Sequence, residues 1–203
     1  MVIAQVVICG ALLSVSIGIV LAKEALMAFL DHLAFRQILW VVPILFALHN
    51  LEEASLMEKW SKKSSLLFHV TVSTPQFAIA VAVLTVLVFA ATWLGRLGPK
   101  QSVGMYVTTG VQAIIFINVI FPHIAVTVRS RSYNPGLLTA VIFNLPFSVY
   151  LYQRAVAEGY ITTLGVIVTL AIAPFAMIVL IASSLRLGEI ICRHLQRTNA
   201  GQV

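Results

Sequence analysis

His49, Glu52 and Glu53 lie within Phe46-Ala47-Leu48-His49-Asn50-Leu51-Glu52-Glu53-Ala54 and are separated by three and four residues. On a helix that spacing stacks an imidazole and two carboxylates on one face. Together these groups can ligate a divalent metal, or transfer protons as general acid and base. The eleven residues leading into His49 carry no charge. Carboxylates at membrane depth cost about 2.5 kcal/mol or more each unless they are paired, protonated or metal-bound. A competing reading places Glu52 and Glu53 at an ordinary helix end, reaching toward the headgroups near Glu58, Lys59 and Trp60.

A second helix has to complete any ligand shell, and the segment Asn118-Val119-Ile120-Phe121-Pro122-His123 offers one. His123 is the natural second imidazole, and Pro122 is expected to kink the helix and free a backbone carbonyl beside it. Asn118 can hydrogen-bond a ligand. His69 falls near Lys62 and Lys63 and reads as solvated, while Asn144 reads equally as an interhelical hydrogen-bonding residue. With two buried carboxylates rather than the four or so of di-iron bundles, a mononuclear site is expected. Zinc is favoured and iron is possible for this donor set.

The rest of the chain must hold these groups in a membrane. Of 203 residues 60% are hydrophobic and 10% charged, with mean hydropathy +1.00; soluble domains carry about 25% charged residues. Apolar stretches of spanning length predict an all-α polytopic transmembrane bundle of about six spans, near 2–22, 37–57, 73–95, 103–128, 135–155 and 161–186. Residues 1–203 read as a single membrane domain. Val2 to Ala22 lacks a preceding positive charge and is expected to remain as a helix, its Gly10, Ser14 and Gly18 stripe permitting close approach of another helix.

The formal charge of +6 is dispersed in the short breaks between spans, which argues against nucleic-acid binding. Cys9 and Cys192 form no ligand spacing. Lys59, Lys62, Lys63, Arg129, Arg131, Arg186, Arg193 and Arg197 outnumber Lys23, Arg36, Arg96, Lys100 and Arg154. Both termini are therefore expected on the cytoplasmic side of the inner membrane. In that topology His49, Glu52, Glu53, Asn118 and His123 share the inner half of the bundle. Tyr133, Asn134, Pro135 and Gly136 turn the chain beneath them. No nucleophile elbow, phosphate loop or dinucleotide fingerprint is present.

The blocks His49-Asn50-Leu51-Glu52-Glu53, Asn118 to His123, and Tyr133-Asn134-Pro135-Gly136 with Thr139 occur in order. In these the chain resembles the HXXEE-motif family of bacterial integral membrane proteins over about residues 40–160, with helix 2–22 outside the match. The resemblance implies functional weight for His49, Glu52, Glu53, Asn118, His123, Pro135 and Gly136, but names neither a metal nor a reaction.

The leading expectation is a membrane-embedded metalloenzyme acting on a lipophilic small molecule among the membrane lipids. His49, His123 and one of Glu52 or Glu53 hold the ion, and the other carboxylate serves as acid or base. Two alternatives stand beside it. One is a metal-free cyclase or isomerase using the same carboxylates, with His123 as base. The other is a proton- or cation-coupled transporter, against which the absence of inverted repeats argues. Nothing in the sequence sets an oligomeric state.

Overall fold

The computed structural model describes residue 24, residues 28–56 and residues 72–200. The expected helix 2–22, Cys9, the Gly10–Gly18 stripe, the cations from Lys59 to Lys63 and His69 lie outside these residues. The described chain is a bundle of helices without strands. Four helices are long and apolar enough to cross a membrane: Phe35–Ser55 (α1), Thr74–Leu97 (α2), Val103–Ser130 (α3) and, within a longer helix, Thr163–Thr198. That last helix, Thr163–Ala200 (α5), outruns its expected end at 186. Its extension carries Glu189 between Arg186 and Arg193 as i,i+3 and i,i+4 ion pairs, which support further turns.

The expected span 135–155 is helical from Leu137 to Ala157 in three pieces: Leu137–Thr139, a π-helical Ala140–Asn144, and Leu145–Ala157 (together α4). It is not among the four helices long and apolar enough to cross a membrane. Two of its polar residues point inward: Asn144 and Ser148 are buried, and Gln112 of α3 donates to Ser148 Oγ at 2.6 Å.

In α1 the buried residues Val42, Leu45, His49 and Glu53 recur at three- and four-residue intervals. The stripe that packs the helix is thus the stripe that carries the chemistry. Helix α2 opens with Ser73 as N-cap, in a capping box with Gln76, and with Pro75 in its first turn. At its far end it meets α3 at very short range. Thr108 Oγ1 donates to the Ala91 carbonyl at 2.5 Å, and a Cβ on Gly104 would stand 2.5 Å from the Leu94 carbonyl oxygen.

The two ends of the bundle differ. One is filled by an apolar core including Phe35, Leu39, Met105, Phe147 and Leu151. Polar ties close it: Arg36 donates to the Arg96 and Gly98 carbonyls, Arg96 donates back to Arg36 O, and Arg154 donates to Leu30 and Leu33. There too the Trp40 and Trp93 rings pack at a tilt, and the Arg96 guanidinium lies over the Trp40 ring. The other end carries the polar residues singled out above.

Gly104→Val should destabilise the α2–α3 contact, because the nearest atoms are main-chain atoms that cannot rotate away. A loss of about 1–3 kcal/mol is expected, measured as earlier thermal unfolding in detergent. An unchanged transition would show that the helices do not approach this closely.

Candidate functional site

Three segments deliver the site. Helix α1 contributes His49, Asn50, Glu52 and Glu53. Helix α3 contributes Asn118 and then, past a distortion, His123. The turn 131–139 contributes the rest. As Pro122 foreshadowed, α3 is regular to Asn118, kinks within Val119–Ile124 and resumes as α-helix from Ala125 to Ser130. At the kink Phe121 leaves helical geometry (φ −137°, ψ 120°), and the Phe121–Pro122 peptide is cis. His123, just past the kink, is fully buried, and the π-helical turn Ala140–Asn144 packs against this segment.

The two imidazoles meet edge to face, their centroids 4.6 Å apart. Glu53 Oε1 lies 3.4 Å from His123 Nε2 and 3.8 Å from His49 Nε2. The ligand atoms of His49, Glu53 and His123 all fall within 4.8 Å of one another. Two ligands bound about 2 Å from a tetrahedral zinc would stand roughly 3.3 Å apart, so the donor set fits one ion with small adjustment. The Asn118 amide completes the ring, 3.2 Å from His49 Nε2 and 3.1 Å from His123 Nε2. A half-turn of that amide exchanges its donor for an oxygen ligand.

Hydrogen bonds set the His49 tautomer and orient the His123 ring. Thr139 Oγ1 donates its single proton to Glu52 Oε2 at 2.6 Å, so toward His49 Nδ1, 2.9 Å away, it accepts. His49 therefore carries its proton on Nδ1 and turns the Nε2 lone pair toward Glu53. His123 Nδ1 lies 3.2 Å from the Asn134 amide nitrogen, and the ring is also hydrogen-bonded to the Pro135 carbonyl. Metal-binding histidines characteristically show this outer support.

Glu52 and Glu53, adjacent in sequence, do different things. Glu53 is buried within the group, so the headgroup-reaching alternative fails for it. Glu52 is half-buried and turned away, into the turn. Tyr133 OH, Gly136 N and Leu138 N donate to its Oε1, and Thr139 N and Oγ1 donate to its Oε2. Partial burial and the bond to Glu52 push the Tyr133 phenol up to about 12, which keeps it a donor at physiological pH. Glu52, expected as a candidate ligand or catalytic acid, lies outside the ligand-spaced His49–Glu53–His123 group and accepts from the turn that orients His49.

Gly136 closes the floor at φ +89°, a conformation that glycine adopts without strain. A Cβ there would sit 2.5 Å from His123 Cε1 and 2.7 Å from His49 Cε1. Asn144 is buried nearby in α4, its carbonyl accepting from Ser148 at 2.6 Å.

Sequence reasoning passed over Asn50 and gave Asn134 and Thr139 only a place in a motif. Asn50 is buried and its Nδ2 has no hydrogen-bond partner among the described residues. Its signal was available: three residues before Glu53, it shares that residue's helix face. His49, Asn50, Glu53, Asn118 and Asn134 also line a cavity of about 650 Å3, whose other walls are mainly apolar side chains of α1, α2, α3 and α5.

A bundle of membrane-spanning helices with a buried His/Glu centre beside an apolar cavity is thus the class that fold and site define. The family model described as a protein of unknown function with HXXEE motif matches residues 40–151, and the chain belongs to that family. The uncharacterized protein YrkK of Bacillus subtilis (strain 168) is similar, 29% identical over 142 residues, which is 70% of this chain and 89% of that protein. No solved structure matches the chain.

The division of labour between the two glutamates has a direct test. Glu52→Gln replaces one acceptor oxygen with a donor facing other donors and should cost about 1–3 kcal/mol. Glu53→Gln relieves a buried carboxylate and should leave thermal stability unchanged or raised in metal-free protein. Equal losses in the two variants would refute the assignment.

Proposed function

We propose that the chain is a membrane-embedded, metal-dependent enzyme acting on a lipophilic small molecule. The observation that carries the reading is the convergence of two imidazoles and one carboxylate at ligand spacing on the wall of a mainly apolar cavity. His49, His123 and Glu53 hold the ion, with the Asn118 amide as a fourth donor. Zinc suits this nitrogen and oxygen set best, and iron next. A bound ion would supply polarisation of a carbonyl or activation of water.

The protein's own groups do the remainder. Glu52, through Thr139, holds the His49 ring and its tautomer. Asn134 and the Pro135 carbonyl hold the His123 ring. Gly136 lets the turn press against both rings. The apolar walls admit a lipophilic substrate and exclude bulk water, which strengthens every charge interaction at the centre. The distribution of Lys and Arg supports placing this centre in the cytoplasmic half of a bacterial inner membrane, with both termini inside.

Purified protein loaded with zinc should retain about one equivalent per chain. His49→Ala and His123→Ala should lose it, and Thr139→Val should weaken affinity about 10–100-fold. Substoichiometric metal in the loaded wild-type protein would overturn the reading and favour the metal-free acid–base enzyme. Orientation is tested separately in a variant lacking the native cysteines. Arg131→Cys should react with an impermeant thiol reagent only from the cytoplasmic face and Lys100→Cys only from the opposite face; the reverse pattern would invert the topology.

A further inference from the structure

We infer that the cavity binds a lipid whose reacting end bears a neutral carbonyl oxygen, as in an ester or ketone, and that Asn50 is the residue that holds this oxygen. The inference names the substrate class of the site proposed above. It rests on that reading for the chemistry but not for the binding.

Two independent observations meet here. The first is the cavity. Its volume of about 650 Å3 falls within the roughly 300–1,000 Å3 of small-molecule sites. Phe46, Phe77, Leu84, Ile115, Met177 and Ile181 are among its walls, a lining suited to a hydrocarbon chain.

The second is Asn50. A buried amide nitrogen without an acceptor costs about 1–3 kcal/mol, and the polar residues of a native interior are otherwise almost all paired. Asn50 lines the cavity one helical turn from Glu53, and its Nδ2 lacks a partner among the described residues. A ligand oxygen at the cavity wall would satisfy it.

Charge narrows the ligand further. Glu53 is an acid on the same wall. Among the described residues Arg186 is the cation lining the cavity, and it is ion-paired with Glu189 at 2.6 Å. In the metal-free protein an anionic head placed beside the Glu53 carboxylate would be repelled, whereas an uncharged carbonyl accepts from Asn50 at no such cost. The oxygen would then lie next to the His49–Glu53–His123 group, where it can be polarised.

The test uses the full chain in alkyl-maltoside micelles, which contain no ester. Three probes of equal chain length are compared: a fatty-acid methyl ester, the free acid at pH 8 and the alkane. Wild-type protein stripped of metal should bind the ester about tenfold more tightly than the alkane, and more tightly than the acid anion. Asn50→Leu should bind ester and alkane alike. Asn50→Asp, nearly isosteric, should disfavour the ester while leaving alkane binding intact, which separates loss of the donor from loss of the fold. Equal binding of ester and alkane by the wild type, or an ester preference surviving in both variants, would overturn the inference. Stoichiometric zinc with no ester preference would sink this inference alone, and an ester preference without zinc binding would sink only the metalloenzyme reading.

Discussion

The Glu52 carboxylate gathers donors from Tyr133, Gly136, Leu138 and Thr139, and in doing so fastens the turn between α3 and α4 to the end of α1. The main-chain donors in that set need acceptors, because a turn at the edge of a membrane bundle cannot rely on water for every one. Hydrogen bonds to a charged acceptor are worth about 1.5–3 kcal/mol each, so one carboxylate can hold the turn in a single conformation. The placement of both imidazoles follows. His49 is oriented through Thr139, and His123 rests against Asn134 and Pro135 of the same turn.

The site therefore has an inner and an outer part with opposite requirements. The inner part has two imidazoles and a carboxylate, His49, His123 and Glu53, facing one another, an arrangement that is costly unless a cation or proton joins them. The outer part is saturated with hydrogen bonds and bears the cost of holding the inner part in place. Two glutamates in succession serve these separate needs because neighbouring helical positions point about 100° apart.

The remainder of the bundle is arranged to permit this. At the far end, apolar packing, the contact of Gly104 and Thr108 of α3 with Leu94 and Ala91 of α2, and the arginine ties at Arg36, Arg96 and Arg154 provide rigidity. At the near end, the kink in α3 redirects His123 and a π-helical turn bends the start of α4, and a cavity remains between α1, α2, α3 and α5. Stability is concentrated away from the centre, and the backbone irregularities lie beside it.

Much of this was legible from sequence. Long apolar stretches with no water to satisfy their backbone leave helices as the economical solution, and hydropathy locates the described ones to within a few residues, α5's end excepted. The expense of charge in hydrocarbon marks His49, Glu52 and Glu53 as a site, and the need for a partner at equal depth selects Asn118 and His123. Pro122 signals the break in α3. What linear spacing could not decide is where each side chain ends once helices pack. Three- and four-residue intervals put Glu52 and Glu53 together near His49, yet only the approach of the turn decides that Glu52 is drawn outward by donors while Glu53 stays inward. In the same way, Asn50 reads as one more polar residue of a motif until the cavity beside it and its lack of a partner are seen. Helical periodicity is a local property encoded along the chain. Hydrogen-bond partnership and void space exist only between elements, and arise when the helices and the turn are brought together.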